Sequence, residues 1–188
     1  MIARLAQGFL KTKFGEFLEA LYYDGQKESL AIVKGDVKDG EEILCRIHSS
    51  CISAHIFNSV ECDCREQMAM SQFWIEQEQK GVVIWLDQEG KGNGHLALLA
   101  SRPLKAQGMG QADAYEKLGY KKDARDYRRA AEILQELGVK SVILLTDNAQ
   151  KADDLTNLGI NVIGTKPISI SPEEDEELFK LYQAKVNQ

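Results

Sequence analysis

Residues 64–86, CREQMAMSQFWIEQEQKGVVIWL, join a helix pattern directly to a short apolar run. Residues 64–81 predict a helix, and VVIWL at 82–86 predicts a buried strand. The alternation then continues along the chain. Further helices are predicted over HLALLASRPLKAQG (95–108, with Pro103 inside), DYRRAAEILQELG (126–138) and KADDLTNLG (151–159), and further strands over SVILLT (141–146) and INVIG (160–164). Strands that alternate with helices favour a parallel or mixed sheet.

The first fifty residues have a different pattern, which is typical of antiparallel strands joined by tight turns. These strands are predicted over KTKFGEFLEALYY (11–23), SLAIVKGDV (29–37) and EEILCRIH (41–48). The sequence therefore predicts an α+β fold that shades into α/β, in which N-terminal antiparallel strands join a mixed sheet flanked by helices. We expect one domain over residues 1–188, with the acidic run SPEEDEE (171–177) as a solvated helix start.

The bulk properties of the chain narrow the class of protein. The 188 residues carry a net charge of −6 and include no eighteen-residue apolar run, and the start MIARLAQG lacks the apolar core of a signal peptide. We therefore expect a cytoplasmic protein without membrane insertion. The negative charge argues against broad binding to nucleic acid but leaves room for a local basic pocket.

Three of the four cysteines, Cys51, Cys62 and Cys64, lie within fourteen residues. In a reducing compartment, clustered cysteines favour metal binding or catalysis over structural disulfides. Strand alternation places Cys45 with Ile43 and Ile47, which favours a core position over a role as fourth ligand. Three thiolates would leave one tetrahedral position open to water, the arrangement of a catalytic zinc; structural zinc and unligated thiols remain the alternatives.

Three other stretches have two interpretations each. The glycines of QEGKGNG (88–94) follow a strand and could admit phosphate, or could form a plain flexible connection. Thr146 and Lys151 could hold a phosphate at the start of a helix, or Thr146 or Asp147 could simply cap that helix. The Asp-x-Arg pair at 123 and 125 could be catalytic, or could serve as capping and surface charge.

Taken together, these stretches resemble the GTP cyclohydrolase II family, zinc enzymes that open guanosine triphosphate at the start of riboflavin synthesis. The resemblance covers about residues 2–168. It rests on RIHS (46–49), the C-x10-C-x-C spacing from Cys51, DCxxQ (63–67), QEG (88–90), QG (107–108), LG (118–119), D-x-R-D (123–126), LLT-x-N (144–148) and LGI (158–160).

The resemblance implies a set of functional residues. Zinc would be held by Cys51, Cys62 and Cys64, with Asp123 as proton acceptor and Arg125 as nucleophile. The implied substrate contacts are Arg46, Ile47, His48, Ser49, Ser50, Gln67, Glu89, Gly90, Lys91, Gln111, Thr146 and Lys151. The resemblance also implies Mg²⁺ with the triphosphate, release of pyrophosphate and formate, a diaminopyrimidine ribosylamino phosphate product, and a homodimer. Because a guanidinium stays protonated in proteins, elementary chemistry assigns Arg125 to charge stabilisation instead.

The chain departs from the family pattern at positions expected to contact substrate. Lys91 stands where an arginine is usual, Ser50 for glutamate, Arg102 for tyrosine and Gln111 for threonine, and the C-terminal tail also differs. Three hypotheses follow. The chain is a divergent GTP cyclohydrolase II, a paralogue that opens another purine or pyrimidine ring or stops at another product, or a non-catalytic nucleotide-binding module with structural zinc.

Overall fold

A seven-stranded mixed sheet organises the part of the chain that the computed structural model describes, residues 1–168 and residue 176. The strands are β1 (Ala3–Lys11), β2 (Glu16–Tyr23), β3 (Glu28–Lys34), β4 (Ile43–Ser49), β5 (Gly81–Leu86), β6 (Val142–Leu145) and β7 (Val162–Lys166). The helices are α1 (Ile52–His55), α2 (Cys64–Glu78), α3 (His95–Ala106), α4 (Gln111–Lys117), α5 (Arg128–Glu136) and α6 (Ala149–Asn157). The predicted acidic helix start, apart from Glu176, and the C-terminal tail lie outside the described residues.

The sheet has an antiparallel and a parallel half, in the order β1-β2-β3-β5-β4-β6-β7. Strands β1, β2, β3 and β5 pair antiparallel, whereas β5, β4, β6 and β7 pair parallel. The predicted α+β class is therefore confirmed. Within the described residues, no helix is long and apolar enough to cross a membrane.

Strand β4 lies in the middle of the parallel half and is covered on both faces. Cys45 is fully buried in a core cluster that includes Ile133 of α5. Its neighbour Leu44 faces the other way and packs against clusters that contain Met70 and Ile75 of α2. The prediction that Cys45 is a core residue is therefore confirmed.

Two predictions about the N-terminal half were wrong. The single strand predicted over 11–23 is broken by a turn in which the Thr12 amide donates to the Gly15 carbonyl, 2.8 Å away, and the preceding strand β1 was missed. Strand β4 was grouped with the antiparallel strands but runs parallel to both β5 and β6. Alternation reveals which face a residue occupies but not strand direction, and both partners of β4 come later in the chain.

Candidate active site

Three parallel strands, β4, β5 and β6, bring their carboxyl ends to one edge of the sheet. Ligand sites of such sheets lie in the crevice outside these ends. The segments that leave this edge are the cysteine segment after β4, the glycine loop 88–94 after β5, and Thr146–Asn148 after β6. The fold therefore gathers the predicted motifs although they are far apart in sequence.

The three clustered cysteines form a compact group of thiols. Cys51 immediately precedes α1, Cys64 is the first residue of α2, and Cys62 lies in the loop between these helices. The Sγ atoms of Cys51 and Cys62 are 3.7 Å apart, and the three sulfurs lie within 4.8 Å of one another. A tetrahedral ion with Zn–S bonds of about 2.3 Å would need sulfurs roughly 3.8 Å apart, so the group fits zinc. Cys45 is not part of the group.

Burial and mutual proximity affect the protonation of these thiols. Burial raises the pKa of the Cys64 thiol, and the neighbouring Cys62 raises it further. Burial likewise raises the pKa of Cys51. Cys51 and Cys64 are therefore neutral thiols at physiological pH. A bound divalent cation would offset the repulsion among three thiolates, because metal ligation requires the deprotonated form.

A cavity of about 280 Å³, called the thiol cavity below, opens beside the three thiols. Its wall includes several residues that the sequence predicted as functional: Ser49, Ser50, Glu89, Gly90, Lys91, Gln111 and Arg125. The departures from the family pattern at Ser50, Lys91, Arg102 and Gln111 all line this cavity. The departures from the family pattern therefore all lie in the wall of one cavity.

The glycine loop after β5 supports a second loop. The amides of Gly92 and Gly94 donate back to the carbonyls of Gln88 and Glu89, so they are used within the loop. Gly92 has φ +81°, and a Cβ placed on it would lie 2.5 Å from the Ala124 backbone. The Ala124 amide in turn donates to the Lys91 carbonyl, at 2.8 Å. This glycine thus permits close packing of the loop that carries Asp123 and Arg125, which a plain flexible connection would not need.

Asp123 and Arg125 form a tight ion pair and do not cap a helix. The Arg125 Nε donates to both carboxylate oxygens of Asp123 at 3.0 and 3.1 Å, and Nη2 lies 2.5 Å from Oδ2. Helix α5 is preceded by Tyr127, without a side-chain cap. Burial opposes charge on both groups, but the hydrogen bonds between them prevail, so the pKa of Arg125 is raised and that of Asp123 is lowered.

Comparison with known proteins decides the family. The family model described as GTP cyclohydrolase II matches residues 3–167. The chain belongs to the GTP cyclohydrolase II family. The chain is 38% identical to the riboflavin biosynthesis protein RibBA of Bacillus cereus over 190 positions, covering all of this chain and 47% of that protein. It is 37% identical to RibBA of Chlorobium phaeovibrioides over 174 positions, covering 92% of this chain and 42% of that protein.

The chain spans about half the length of these curated relatives. Among solved structures, it is similar to RibBX, a two-domain 3,4-dihydroxy-2-butanone 4-phosphate synthase from A. baumannii. That likeness has 22% identity and a TM-score of 0.49, over 88% of this chain and 40% of the other.

The remaining substrate contacts that the family resemblance implies do not line the cavity, and all of them except the partly buried Gln67 are buried. Arg46 is buried beside α2, where its Nη2 donates to Gln67 Oε1 at 2.5 Å, and its Nη1 donates to the Leu145 carbonyl at 2.9 Å. His48 is also buried and meets the His55 ring edge to face at 5.0 Å, and burial lowers the pKa of His48 well below its usual range.

Two further predicted contacts are Lys151, which bonds to the backbone of β4, and Thr146, which follows β6. The Lys151 Nζ donates to the carbonyl of Ile47, at 3.0 Å, while the Ile47 side chain is part of the core. Thr146 is buried, and its hydroxyl accepts from the Asn148 amide at 3.1 Å. Asn148, not Thr146 or Asp147, caps α6. The capping alternative therefore named the wrong residues.

Gln88 is a connecting residue that the sequence analysis did not single out, although it begins the QEG motif. Its amide nitrogen donates to Ser49 Oγ and its amide oxygen accepts from the Asp126 backbone, both at 3.1 Å. The backbone amide of Gln88 also donates to Ser50 Oγ, at 3.1 Å. One buried side chain therefore ties the end of β4 to the loop of the Asp-Arg pair.

Proposed function

We propose that this chain is a zinc-dependent hydrolase that opens the imidazole ring of GTP, releasing formate and pyrophosphate and giving a diaminopyrimidine ribosylamino phosphate. The observation that carries the proposal is the group of three thiols, spaced for tetrahedral zinc, in the wall of a cavity that also holds Lys91 and Arg125. Family membership and the riboflavin biosynthesis proteins among its relatives support the same reaction.

The arrangement of two neighbouring cavities suggests how the nucleotide would lie. A second cavity, of about 570 Å³, is lined by Asp123, Tyr127 and Asn148, and it shares Lys91 and Arg125 with the thiol cavity. The attacked carbon belongs to the ring, so the ring would occupy the thiol end. The phosphates would extend towards the shared cations, accompanied by Mg²⁺.

In this proposal the chain's own groups position the substrate and stabilise charge. Zinc held by the three cysteines would supply a Lewis acid that lowers the pKa of water. Arg125, held by Asp123 and kept protonated, would stabilise negative charge on the phosphates and in the transition state. Asp123 would orient that guanidinium.

The cavity wall also supports a second candidate, in which a relative of this reaction opens a different ring. Arg102 donates through Nη2 to Ser53 Oγ at 3.2 Å, and its Nε lies 3.6 Å from Glu61 Oε2. A guanidinium offers hydrogen-bond donors and a planar stacking face, which favours ring substituents other than those a tyrosine would select.

The deciding experiment incubates the purified protein with GTP, with other purine nucleotides and with free bases, with and without a chelator. Formate and pyrophosphate from GTP that disappear with chelator would support the proposal. Turnover of another ring compound alone would support the second candidate. No zinc-dependent turnover of any compound would indicate a non-catalytic nucleotide-binding module.

A single substitution separates a catalytic zinc from a structural one. Cys64→Ser should lose zinc and activity together, while circular dichroism and the unfolding midpoint stay close to those of the parent chain treated with chelator. Global unfolding of the variant would show that zinc holds the fold.

A further inference from the structure

The thiol cavity contains a polar group that neither the sequence motifs nor the predicted site explains, the hydroxyl of Tyr115. Tyr115 lies on α4, is fully buried, and is one of the residues that line the cavity. Its Oη has no hydrogen-bond partner in the part of the chain that the structure describes. Buried polar groups in native proteins are nearly always paired, so an unpaired hydroxyl beside a cavity calls for a partner that the cavity supplies, an ordered water or a ligand atom.

The other buried atoms without partners do not raise the same question. Those of Arg46, His48, His55, Glu76, His95 and Tyr127 belong to residues that are absent from the thiol cavity wall. Of the unpaired buried atoms in residues 1–168, only Tyr115 Oη belongs to a side chain that lines this cavity. The Tyr115 hydroxyl is therefore the unpaired buried group beside the cavity in which the ring of the proposed substrate would lie.

The surroundings of Tyr115 hold its hydroxyl in a fixed position. A Cβ placed on Gly90 would lie 3.1 Å from Tyr115 Oη, so the hydroxyl packs directly against the glycine loop. The Tyr115 ring meets the Tyr120 ring edge to face, with centroids 6.5 Å apart. One turn earlier on α4, Gln111 is held by a bond from its Nε2 to Ser101 Oγ, at 2.7 Å.

The hydroxyl is also kept in the form that donates a hydrogen bond. Burial raises the pKa of Tyr115, and the nearby charge of Glu89 raises it further. The phenol therefore stays protonated at neutral and moderately alkaline pH. The hydroxyl therefore has a proton to donate to an acceptor atom of a substrate.

We propose that the Tyr115 hydroxyl donates a hydrogen bond to the ring nitrogen bonded to the attacked carbon of the substrate, N7 in a guanine nucleotide. This inference rests on the proposed function, because that reaction places the attacked carbon at the thiols. A donor at N7 withdraws electron density from the neighbouring carbon, which favours attack by water. Tyr115 is then a substrate-contacting residue of the reaction.

The test compares Tyr115→Phe with Tyr22→Phe in the zinc-loaded protein. Tyr22 is also fully buried, but its hydroxyl donates to Glu136 at 2.8 Å and lies on β2, away from the cavity. Tyr115→Phe should lower kcat/KM for GTP by about tenfold to a hundredfold, with unchanged zinc content and an equal or higher Tm. Tyr22→Phe should lower Tm and leave kcat/KM unchanged.

A second arm uses 7-deaza-GTP, in which a C–H group replaces the acceptor nitrogen. Tyr115→Phe should bind this analogue as tightly as the wild type does, within about twofold. Unchanged kcat/KM for GTP in Tyr115→Phe, or an equal loss of affinity for 7-deaza-GTP, would overturn the assignment.

The two proposals fail in different ways. If the wild type binds GTP but releases no formate, the proposed function is wrong, and the affinity of Tyr115→Phe for GTP then decides the hydrogen bond. If Tyr115→Phe binds GTP more weakly than the wild type but binds 7-deaza-GTP equally well, the hydrogen bond is supported. Equal binding of GTP by the two proteins would refute it. If the wild type does not bind GTP, both proposals are wrong.

Discussion

The buried amino group of Lys151 should make the stability of this protein depend on pH in a specific way. The side chain is 5% exposed and its Nζ donates to the Ile47 carbonyl, 3.0 Å away. Burial, together with the charges of Arg46 and Arg125, lowers the pKa of Lys151 from 10.5 to about 7. The folded chain therefore releases a proton that the unfolded chain retains.

The size of the effect follows from the two pKa values. Between about pH 7 and 10.5 the unfolded state binds more protons, so the free energy of unfolding should rise with pH. Below pH 7 the amino group is protonated in both states, so the folded chain bears the full cost of burying a charged lysine. At about 1.36 kcal/mol for each unit by which the pKa is lowered, this cost is on the order of 5 kcal/mol. Lys151→Met removes this cost but deprives a buried carbonyl of a donor, which costs about 1–3 kcal/mol. The net gain at pH 6.5 should be roughly 2–4 kcal/mol.

Urea unfolding of parent and variant at pH 6.5 and at pH 10 measures both predictions. The variant should be more stable than the parent at pH 6.5 and should lose that advantage at pH 10. Lys117→Met is the control, because Lys117 is exposed on α4 and its substitution should change stability by less than about 0.5 kcal/mol at either pH. A variant less stable than the parent at pH 6.5, or a gain that does not change with pH, would refute the reasoning.

Three other changes test separate parts of the site. Gly92→Ala should destabilise the chain by about 1–3 kcal/mol more than Gly119→Ala, measured by urea unfolding. Both glycines have a positive φ, at +81° and +83°, but only Gly92 has a backbone neighbour within 4 Å; equal effects would contradict the packing role. Cys45→Ala should cost about 1 kcal/mol and keep full zinc occupancy by metal analysis, and lost zinc would make Cys45 a ligand. Asp123→Asn should lower kcat/KM about 100-fold without loss of zinc, whereas an unchanged rate would remove the ion pair from the reaction.

Hydrophobic periodicity and the spacing of the cysteines were enough to predict the features that depend on neighbouring residues in the sequence. The helix over α2 and the strand β5 were predicted because their patterns are long or wholly apolar. The core position of Cys45 followed from alternation with Ile43 and Ile47 and is confirmed. The thiol group was predicted from spacing, and the structure brings its sulfurs together.

Other features depend on contacts that the local pattern does not contain. Alternation placed Arg46 and His48 opposite Cys45, but it could not show that Gln67 of α2 and His55 of α1 lie against these buried side chains. Helix α4 has seven residues, too few for a clear helical period, so Tyr115 went unnoticed. The role of Gly92 was left open between phosphate contact and a plain connection, because a glycine spacing does not reveal which backbone approaches it.

The groups that reduce the stability of this chain are concentrated at the edge where the motifs meet. Lys151 is buried against its preferred charge state, the hydroxyl of Tyr115 lacks a partner within the described residues, and Cys64 lies among other thiols. A chain selected for stability alone would replace each with an apolar residue of similar size. The phenol and the thiols would instead be satisfied by what the proposed reaction brings: a ring acceptor for the phenol and a divalent cation for the thiols. The same residues therefore weaken the empty fold and favour the ligand-bound one, as expected of a binding site whose polar groups are paired by its ligands.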